Sequence, residues 1–372
     1  MLFNGSENLN ATDFTLKGQI SITLNRWYQS GSYYDSPLGF GWSYAYNVRL
    51  YFTAENNAIV REGCGAEHTF VFTGGTWQAP ANYDLALINN GGGQYTLQEQ
   101  DGSQMVFDGY GRLSKDIDVN GNYLKFQYDP AGMFPVYGVS LYGLGSTPTI
   151  TSYDYHLTEI DQYDASGNPT GRWVKYSYDA NGRMSKIADS SGRYVVFTHD
   201  QCGSSTCGNL IGVTVYNAQG AIVGDPYVYT YANATDHLIT SYSGGVSPVD
   251  KGLYTDTYDS MRRVVTQTHG TGLLQFQYTV PSFTTTVYDT ITNQSNSFSV
   301  PTTYSFNQDG LPLQKIDGLG KKTEISLRRP NNLPAVSVHL LYSGFLKGLF
   351  YRTLLGTETG NGVDFCPQKS HE

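Results

Sequence analysis

Apolar and polar residues alternate in short runs along this chain, most clearly between residues 176 and 200. Tyr176 and Tyr178 alternate with polar residues up to the pair Asn181-Gly182, and a second alternating run follows an Asp-Ser-Ser-Gly segment. Asn-Gly pairs accept the positive φ angles of tight hairpin turns, and tyrosine and valine favour the pleated surface of a sheet. The pattern therefore predicts consecutive β-hairpins.

The same unit recurs with a constant period. Three pairs of equivalent positions lie 21 residues apart: Phe107 and Tyr128, Tyr178 and His199, and Phe306 and Leu327. Between these copies, Tyr-Asp pairs recur with irregular spacing at 153–154, 163–164, 258–259 and 288–289, and Arg262 stands where the repeat has glycine. A repeat of this length indicates supersecondary units that stack because none can bury its apolar face alone. We predict an all-β fold built on an extended antiparallel sheet of stacked hairpins.

The N-terminal region alternates in the same way but is richer in paired glycine and aromatic residues. A strand is predicted over Ile20–Trp27, and the segment Pro37–Asn47 interleaves Gly39 and Gly41 with aromatic residues. Glycines in this setting indicate that two backbones approach closely beneath aromatic rings. The segment therefore predicts a tightly packed N-terminal β region.

Three regions follow from these patterns. Residues 1–100 form the N-terminal β region, 101–327 the repeat sheet, and 328–372 a divergent tail. The tail is Leu- and Phe-rich without period-two order. We interpret it either as a truncated or frameshifted terminus or as a genuine divergent end.

Composition and charge narrow the class of protein. The chain has 31 Tyr and 42 Gly, and only 15% of its residues are charged, which fits a turn-rich β protein and argues against helical bundles and disorder. Its formal net charge of −9 argues against a nucleic-acid partner, because such proteins carry a basic face. No apolar run approaches the roughly 18 residues that span a bilayer, so no membrane span is predicted.

The N-terminus also lacks the charged and apolar regions of a signal peptide. Either export uses a route without such a signal, or the chain begins inside a longer precursor.

Four cysteines are candidates for covalent or metal chemistry: Cys64, Cys202, Cys207 and Cys366. Cys202 and Cys207 flank a predicted turn, and their spacing allows a disulfide. Free thiols remain open, and zinc is less favoured because only His199 lies nearby as a further ligand. A disulfide would indicate an oxidising, extracytoplasmic location.

The aspartates of the Tyr-Asp pairs invite a catalytic interpretation, because paired carboxylates hydrolyse glycosides. We favour turn formation, since an aspartate before Asn-Gly or Ser-Gly accepts backbone N–H bonds. The stretch from Asp118 to Asp129 has calcium-loop length, but Tyr123 occupies the position that such loops reserve for glycine. The sequence has no nucleophile elbow and no His-Glu-x-x-His motif. We therefore predict no catalytic residue, no metal and no cofactor.

Tyrosine stripes offer a binding alternative. Tyr227, Tyr229 and Tyr231 lie on one face of a predicted strand, and such rings can stack on saccharides. Stripes with period two also arise from cross-strand packing inside a sheet. Both interpretations stay open here.

Three N-terminal blocks carry a family resemblance: ATDFTLKG from residue 11, LNRWYQS from residue 24 and PLGFGWSYAYNVRL from residue 37. In this order and spacing they resemble the N-terminal region of RHS/YD-repeat proteins, and the Tyr-Asp repeats extend the resemblance over nearly the whole chain. The family commonly has Arg-Thr-Tyr-Asn-Ser where this chain has Arg-Trp-Tyr-Gln-Ser at 26–30. The resemblance implies a sheet that coils into the wall of a hollow, cocoon-like shell, and it implies a truncated member.

Large members of that family cleave themselves at an Asp-Pro-x-Gly-Leu segment that precedes a variable toxin. The nearest match here, Asp129-Pro130-Ala131-Gly132-Met133, departs at its last position and lies far from the C-terminus. It is better explained as a repeat with a proline turn.

The resemblance implies a non-catalytic structural part of a secreted or cell-surface protein of the polymorphic-toxin type. Its shell would encapsulate and deliver a C-terminal effector that this chain lacks, so the expected partners are that effector region and a secretion machinery. The alternative is a carbohydrate-binding cell-surface module that uses the tyrosine-rich faces to bind surface saccharides. A glycosidase has no paired-carboxylate motif behind it.

Overall fold

The architecture was analysed in a computed structural model. It describes residues 4–32, 34–80, 85–138, 149–200, 208–232, 236–245, 252–270, 272–279, 282–293, 296–307, 312–324, 327–328 and 335–336. These residues form strands and turns, and none of them is helical. The predicted all-β fold is therefore confirmed.

Nine strands in three small sheets form the N-terminal part of the chain. One sheet has the order β1-β2-β5, a second pairs β3 with β4, and a third runs from β6 to β9 in sequence order. The strands are β1 (Asn8–Leu16), β2 (Ile22–Gln29), β3 (Asp35–Ser36), β4 (Gly39–Phe40), β5 (Trp42–Tyr44), β6 (Arg49–Phe52), β7 (Ala58–Arg61), β8 (Glu67–Thr73) and β9 (Thr76–Gln78). We call residues 4–80 the N-terminal segment.

Nineteen antiparallel strands then follow one another in a single sheet, here called the long sheet, in which each strand pairs with its neighbours in sequence. The strands are β10 (Leu85–Gly91), β11 (Gln94–Glu99), β12 (Gln104–Phe107), β13 (Leu113–Ile117), β14 (Tyr123–Gly138), β15 (Thr149–Tyr163), β16 (Pro169–Tyr178), β17 (Met184–Asp189), β18 (Tyr194–His199), β19 (Leu210–Tyr216), β20 (Asp225–Tyr231), β21 (Ile239–Gly245), β22 (Tyr254–Tyr258), β23 (Val264–His269), β24 (Gly272–Thr279), β25 (Thr284–Asn293), β26 (Asn296–Phe306), β27 (Pro312–Ile316) and β28 (Lys322–Glu324). A separate pair, β29 (Leu327–Arg328) and β30 (Ala335–Val336), follows. The predicted extended antiparallel sheet is therefore confirmed.

An aspartate or asparagine closes eight of the hairpins of the long sheet in one way. Its side-chain Oδ1 accepts hydrogen bonds from the backbone N–H groups two and four residues later, in the turns that begin at Asp108, Asp118, Asp164, Asp179, Asp189, Asn217, Asp259 and Asp317. The predicted turn role is therefore correct at Asp179, and Asp200 likewise accepts two backbone N–H bonds, from Gly208 and Asn209.

The fourth position of this turn requires a left-handed backbone, which only glycine adopts without strain. Seven of the eight turns have glycine there, with φ between 73° and 88°. The exception is Arg262, at φ 63°, the position at which the sequence already departs from the repeat. Its guanidinium donates to the Ser30 carbonyl from Nη2 at 3.0 Å, so the exception lies where the N-terminal segment contacts the turn.

A tyrosine recurs as a second device, at or next to the last residue of its strand in four cases and inside β14 in the case of Tyr128. Its hydroxyl donates to a backbone carbonyl in the preceding strand, in the pairs Tyr128 and Leu113, Tyr178 and Leu157, Tyr231 and Leu210, Tyr258 and Ile239, and Tyr278 and Val264. Each bond ties adjacent strands together beside a turn. Together with the turn aspartates, these tyrosines explain the Tyr-Asp repeat as architecture.

One hydrophobic core joins the N-terminal segment to the long sheet. Along β18, Val195 and Phe197 are buried whereas Tyr194 and Val196 are only half-buried, which is the alternation of a sheet with one covered face. Aromatic contacts cross the core, for example between Tyr46 and Phe126, whose ring centroids lie 5.5 Å apart. The N-terminal segment therefore covers one face of the long sheet, here called the covered face.

The long sheet begins at Leu85, within the region 1–100. The division of the chain at residues 100 and 327 stays a prediction, and most of the tail 328–372 lies outside the described residues. Within the part of the chain that the structure describes, no helix has the length and apolarity needed to cross a membrane.

Candidate functional site: the seam between the N-terminal segment and the long sheet

Buried ion pairs and hydrogen bonds join the N-terminal segment to the covered face of the long sheet. We call this interface the seam. Backbone hydrogen bonds cross it at three places, from Leu50 N–H to the Gly111 carbonyl, from Met184 N–H to the Pro37 carbonyl and from Val264 N–H to the Gly5 carbonyl. The N-terminal segment therefore contacts the sheet from the β12–β13 turn to the start of β23.

Arg26 is the central charge of the seam and is only 1% exposed. Its Nε lies 3.1 Å from Asp13 Oδ1, its Nη1 donates to the Tyr229 hydroxyl at 2.5 Å, and its guanidinium carbon lies 4.3 Å from the centre of the Tyr227 ring. Burial alone would lower the pKa of Arg26, but Asp13 and Tyr229 raise it above its ordinary value, so the guanidinium stays charged. Burial raises the pKa of Asp13, and Arg26 offsets only part of that shift.

Asp154 forms a second buried charge cluster. Its two carboxylate oxygens each lie 2.5 Å from an arginine of the N-terminal segment, Oδ1 from Arg49 and Oδ2 from Arg61. Burial alone would raise the pKa of Asp154, but Arg61 and Arg49 together bring it below its ordinary value. Asp154 is the aspartate of a Tyr-Asp pair but lies inside β15, so the expected turn role is wrong there. Its role is to bind two arginines across the seam.

The glycine and aromatic block after residue 37 packs closely against the long sheet and against β2. A Cβ on Gly39 would lie 2.6 Å from the Gly208 carbonyl oxygen, and a Cβ on Gly41 would lie 2.8 Å from Tyr28 Cε2. Trp42 packs edge-on against Tyr229 and donates from Nε1 to the Tyr231 hydroxyl at 3.0 Å. The predicted close approach beneath aromatic rings is therefore confirmed.

Arg183 links this block to the turn after β16. Its Nη1 lies 2.5 Å from Asp35 Oδ1 and donates to the Ser36 carbonyl at 2.8 Å. Burial raises the pKa of Asp35, and Arg183 lowers it only in part. The turn arginine, like Arg262 in a later turn, therefore reaches the N-terminal segment.

Two histidines of the seam are held neutral. Burial and the charge of Arg183 lower the pKa of His199 to about 4, and its Nε2 lies 3.2 Å from the Leu38 carbonyl oxygen. Burial likewise lowers the pKa of His237 to about 4, and its ring stacks on Phe40 with centroids 3.6 Å apart. His199 therefore contacts the seam, and nothing in its described surroundings makes it a zinc ligand.

The other metal candidate is explained by its hydrogen bonds. Oδ1 of Asp118 accepts the N–H groups of Asn120 and Asn122, and Oδ2 accepts the Asn122 side-chain amide at 2.8 Å. Among the described residues, no group of three or more His, Cys, Asp or Glu is arranged to hold a metal ion. Both oxygens of this aspartate therefore serve the turn.

Cys64 is buried and disulfide-bonded. Cys202 and Cys207, the predicted disulfide pair, lie outside the described residues, as does Cys366. The pairing of Cys202 with Cys207 stays a prediction.

The tyrosines proposed for saccharide binding lie in the seam. Tyr229 is 4% exposed and contacts Arg26 and Trp42, while Tyr231 accepts from Trp42 and donates to the Leu210 carbonyl. A saccharide on these rings would have to displace the N-terminal segment. Replacing Tyr227 and Tyr229 would therefore disturb the core as well as any binding site.

Sequence reasoning missed the charged side chains of the seam. Asp13 and Arg26 are 13 residues apart, but Arg61 and Asp154 are 93 apart and Asp35 and Arg183 are 148 apart. No periodic pattern links such partners. The one available signal was Arg262, which replaces a turn glycine.

Comparison with known proteins gives a family match in the N-terminal part of the chain and similarity to a curated protein over a longer stretch. A family model described as a domain of unknown function, DUF6531, matches residues 2–70. Over 227 residues the chain is 22% identical to double-stranded DNA deaminase toxin A of Burkholderia cenocepacia (strain H111), a match that covers 58% of this chain and 16% of the toxin. The chain thus spans about a sixth of the length of that relative.

Two solved structures were also matched. A crystal structure of TcdB2-TccC3 without its hypervariable C-terminal region gives a TM-score of 0.32 at 11% identity, over 83% of this chain and 20% of that one. A porin-like protein from Bacteroides uniformis gives 0.26 at 10% identity, over 59% of this chain and 93% of that one. With TM-scores of this size, the description of the fold rests on the strand pairing given above.

Proposed function

We propose that this chain is a non-catalytic part of a toxin-associated protein of the RHS/YD-repeat type, and that it forms wall of a β-shell around a C-terminal effector. The observation that carries the proposal is the long sheet, with its repeated turn aspartates and strand-end tyrosines and with one face covered by the N-terminal segment. The similarity to a deaminase toxin over 58% of the chain supports the link to toxins.

The proposed role of the shell is to contain the effector. In the long sheet each interior strand is hydrogen-bonded on both sides, so little strand edge is left to pair with another chain. The charged groups of the seam at Arg26, Asp13 and Asp154 are buried and paired, which suits a wall more than a reactive surface. A second polypeptide enclosed by such a wall would be separated from solvent and from other proteins.

We further propose that the protein acts outside the cytoplasm, as a secreted or cell-surface protein delivered by a secretion machinery. The support is the disulfide at Cys64, because disulfides persist in oxidising compartments. The residue before this cysteine is held within the N-terminal segment, since Ser43 Oγ donates to the Gly63 carbonyl at 2.7 Å.

Protease protection tests the shell. The complete reading frame that contains this chain would be expressed, and its native product digested with a protease. The polypeptide encoded downstream of residue 372 would be expressed alone and digested in parallel. We expect the downstream polypeptide to resist digestion only when joined to this chain. The Asp154→Asn variant, which weakens the seam, should reduce that protection. A reading frame without downstream polypeptide, or equal digestion in both forms, would overturn the proposal.

Saccharide binding is a second candidate, and one observation favours it on the face opposite the covered one. There the rings of Tyr123 and Tyr163 stack with centroids 4.9 Å apart, those of Tyr194 and Tyr216 stack at 4.6 Å, and Lys186 Nζ lies 4.2 Å from the Tyr194 ring centre. All four rings are half-buried. A glycan array should show binding that Tyr194→Ala abolishes, and an array without signal would remove this candidate.

A further inference from the structure

Two buried carboxyl groups meet where the beginning of the chain crosses β22 and β23. Gln267 Nε2 donates to Glu7 Oε2 at 3.3 Å and to Asp256 Oδ1 at 3.0 Å. Glu7 is 1% exposed, Asp256 3% and Gln267 4%. One neutral amide group therefore bridges two acids from distant parts of the chain, out of contact with solvent.

Nothing described in the structure neutralises this acid pair with a salt bridge. The two nearby arginines bind elsewhere, since Arg262 donates to the Ser30 carbonyl and Arg263 pairs with Asp259. Oδ2 of Asp256 is buried and has no hydrogen-bond partner among the described residues. An ionised carboxylate in such a place is costly, whereas a protonated one needs no counter-charge.

The titration of the pair agrees with this geometry. Burial raises the pKa of Asp256 to about 7, and the hydrogen bond from Gln267 lowers it only in part. Burial and the neighbouring Asp256 raise the pKa of Glu7 well above its ordinary value, against smaller lowering effects of the amino terminus, Gln267 and Tyr242. Because the two groups interact, their protons are lost in two steps that belong to the pair.

We propose that Glu7 and Asp256 share a proton and act as a pH-sensitive clasp, which holds the beginning of the chain on the long sheet and opens when both groups ionise. Opening releases the proton to water and leaves two carboxylates that repel each other across Gln267. The proposal is independent of what the protein encloses or binds.

The direction of the pH dependence follows from the raised pKa values of Glu7 and Asp256. Groups whose folded pKa lies above the ordinary value bind more protons in the folded state, so stability falls as pH rises. The contribution of the clasp is complete near pH 4, the ordinary value for such acids, and is lost as the pH rises through about 7. The clasp is therefore closed in mild acid and weakened above neutrality.

Three tyrosines and two arginines lie around the pair. Burial raises the pKa of the three tyrosines above its ordinary value, so their hydroxyl groups stay neutral over this range. These residues are Tyr28 from β2, Tyr258 from β22, Tyr278 from β24, and Arg262 and Arg263 from the turn between β22 and β23. Tyr242 also faces Glu7, and both its hydrogen bond and the charge of the amino terminus lower the pKa of Glu7.

The clasp anchors a short stretch with few other contacts to the sheet. Gly5 accepts from Val264 N–H at 2.8 Å, and Glu7 and Ser30 exchange hydrogen bonds of 2.9 Å through Glu7 N–H, Ser30 N–H and Ser30 Oγ. Arg26 and Asp154 hold the rest of the seam independently of the clasp. Opening is therefore expected to be local. It should affect residues 4–7, the end of β2 and the start of β23, which residues 4–7 contact.

Hydrogen–deuterium exchange of the full chain between pH 5.5 and 8.5, corrected for intrinsic exchange, tests the proposal. We expect protection at residues 4–7 and at Val264 to fall about 10- to 100-fold in the wild type. In the double variant Glu7→Gln, Asp256→Asn, which mimics the neutral pair, protection should not change with pH. Peptides from β17 and β18 serve as an internal control, and Glu324→Gln, at an exposed position of β28, is the matched control variant.

A second measurement uses only the wild-type protein. The infrared carbonyl band of a protonated carboxylic acid should be present in the wild type at pH 6 and lost at pH 8.5. The proposal is overturned if wild type and double variant lose protection equally, or if the wild type shows no such band. It is also overturned if calcium chloride restores protection at pH 8.5 and a chelator removes it, because the pair would then hold a cation in place of a proton.

Discussion

Replacing tyrosine by phenylalanine is expected to have opposite effects on stability at two positions of β16, Tyr176 and Tyr178. The hydroxyl of Tyr178 donates to the Leu157 carbonyl at 2.7 Å, whereas the buried hydroxyl of Tyr176 has no hydrogen-bond partner among the described residues. Replacing either residue by phenylalanine keeps the ring in place and removes only the oxygen. The pair therefore separates the value of the recurring tyrosine hydrogen bond from the value of the aromatic ring.

The expected magnitudes follow from these contacts. Tyr178→Phe loses a hydrogen bond between adjacent strands, which should lower the free energy of unfolding by about 1 kcal/mol. Tyr176→Phe removes a hydroxyl whose burial without a partner costs about 1–3 kcal/mol, so it should be neutral or stabilising. We expect the two variants to differ by about 1–4 kcal/mol, with Tyr178→Phe the less stable.

Urea unfolding followed by intrinsic fluorescence measures both variants against the wild type, with equal slopes required for the comparison. Circular dichroism confirms that each variant keeps its strand content. If Tyr176→Phe costs as much as Tyr178→Phe, the hydrogen bond of the Tyr178 hydroxyl adds no stability of its own, and the role assigned to the strand-end hydroxyl groups is refuted.

Three further outcomes are expected. Asp154→Asn should destabilise the protein by about 3–5 kcal/mol, because it leaves two guanidinium groups facing a neutral amide. Glu159→Gln, on the same strand, breaks a partly exposed pair with Lys175 and should cost under about 1 kcal/mol, and thermal melts compare both variants with the wild type. Arg262→Gly should be about 1 kcal/mol more stable than Arg262→Ala in those melts. Both variants lose the hydrogen bond to the Ser30 carbonyl, but only alanine keeps the strain of a left-handed backbone. Equal melting temperatures would contradict this. Peptide mapping without reductant should recover Cys64 in a disulfide, and a partner within 202–207 would exclude the bridge predicted there.

The repeat was the part of the fold that the sequence could predict. Its turn signals are local, since the aspartate and the glycine that closes the turn lie three residues apart in the chain, and a two-residue alternation specifies a half-buried strand. Local patterns of this kind determine a meander, because each strand pairs with the next. The 21-residue period therefore carried most of the information about the long sheet.

The seam could not be predicted in the same way. Asp154 carries the Tyr-Asp signature of a turn but lies inside β15 and binds Arg49 and Arg61, and no local feature distinguishes it from Asp179. Glu7 and Asp256 look like ordinary surface acids in the sequence. Their special properties come from burial, which is a property of the assembled fold and not of any short stretch of residues.

The covered face has a consequence for how the chain is made. Glu7 and Gln267 are 260 positions apart, so the N-terminal segment leaves the ribosome well before the strands that it binds at the far end of the seam. At about 5–20 residues per second this delay lasts on the order of 10–50 s. The hairpins of the long sheet can fold one by one as they emerge, while the apolar side of the N-terminal segment waits without its last partners. During synthesis the N-terminal segment thus keeps apolar surface exposed to solvent, and its packing is completed only when β23 has emerged.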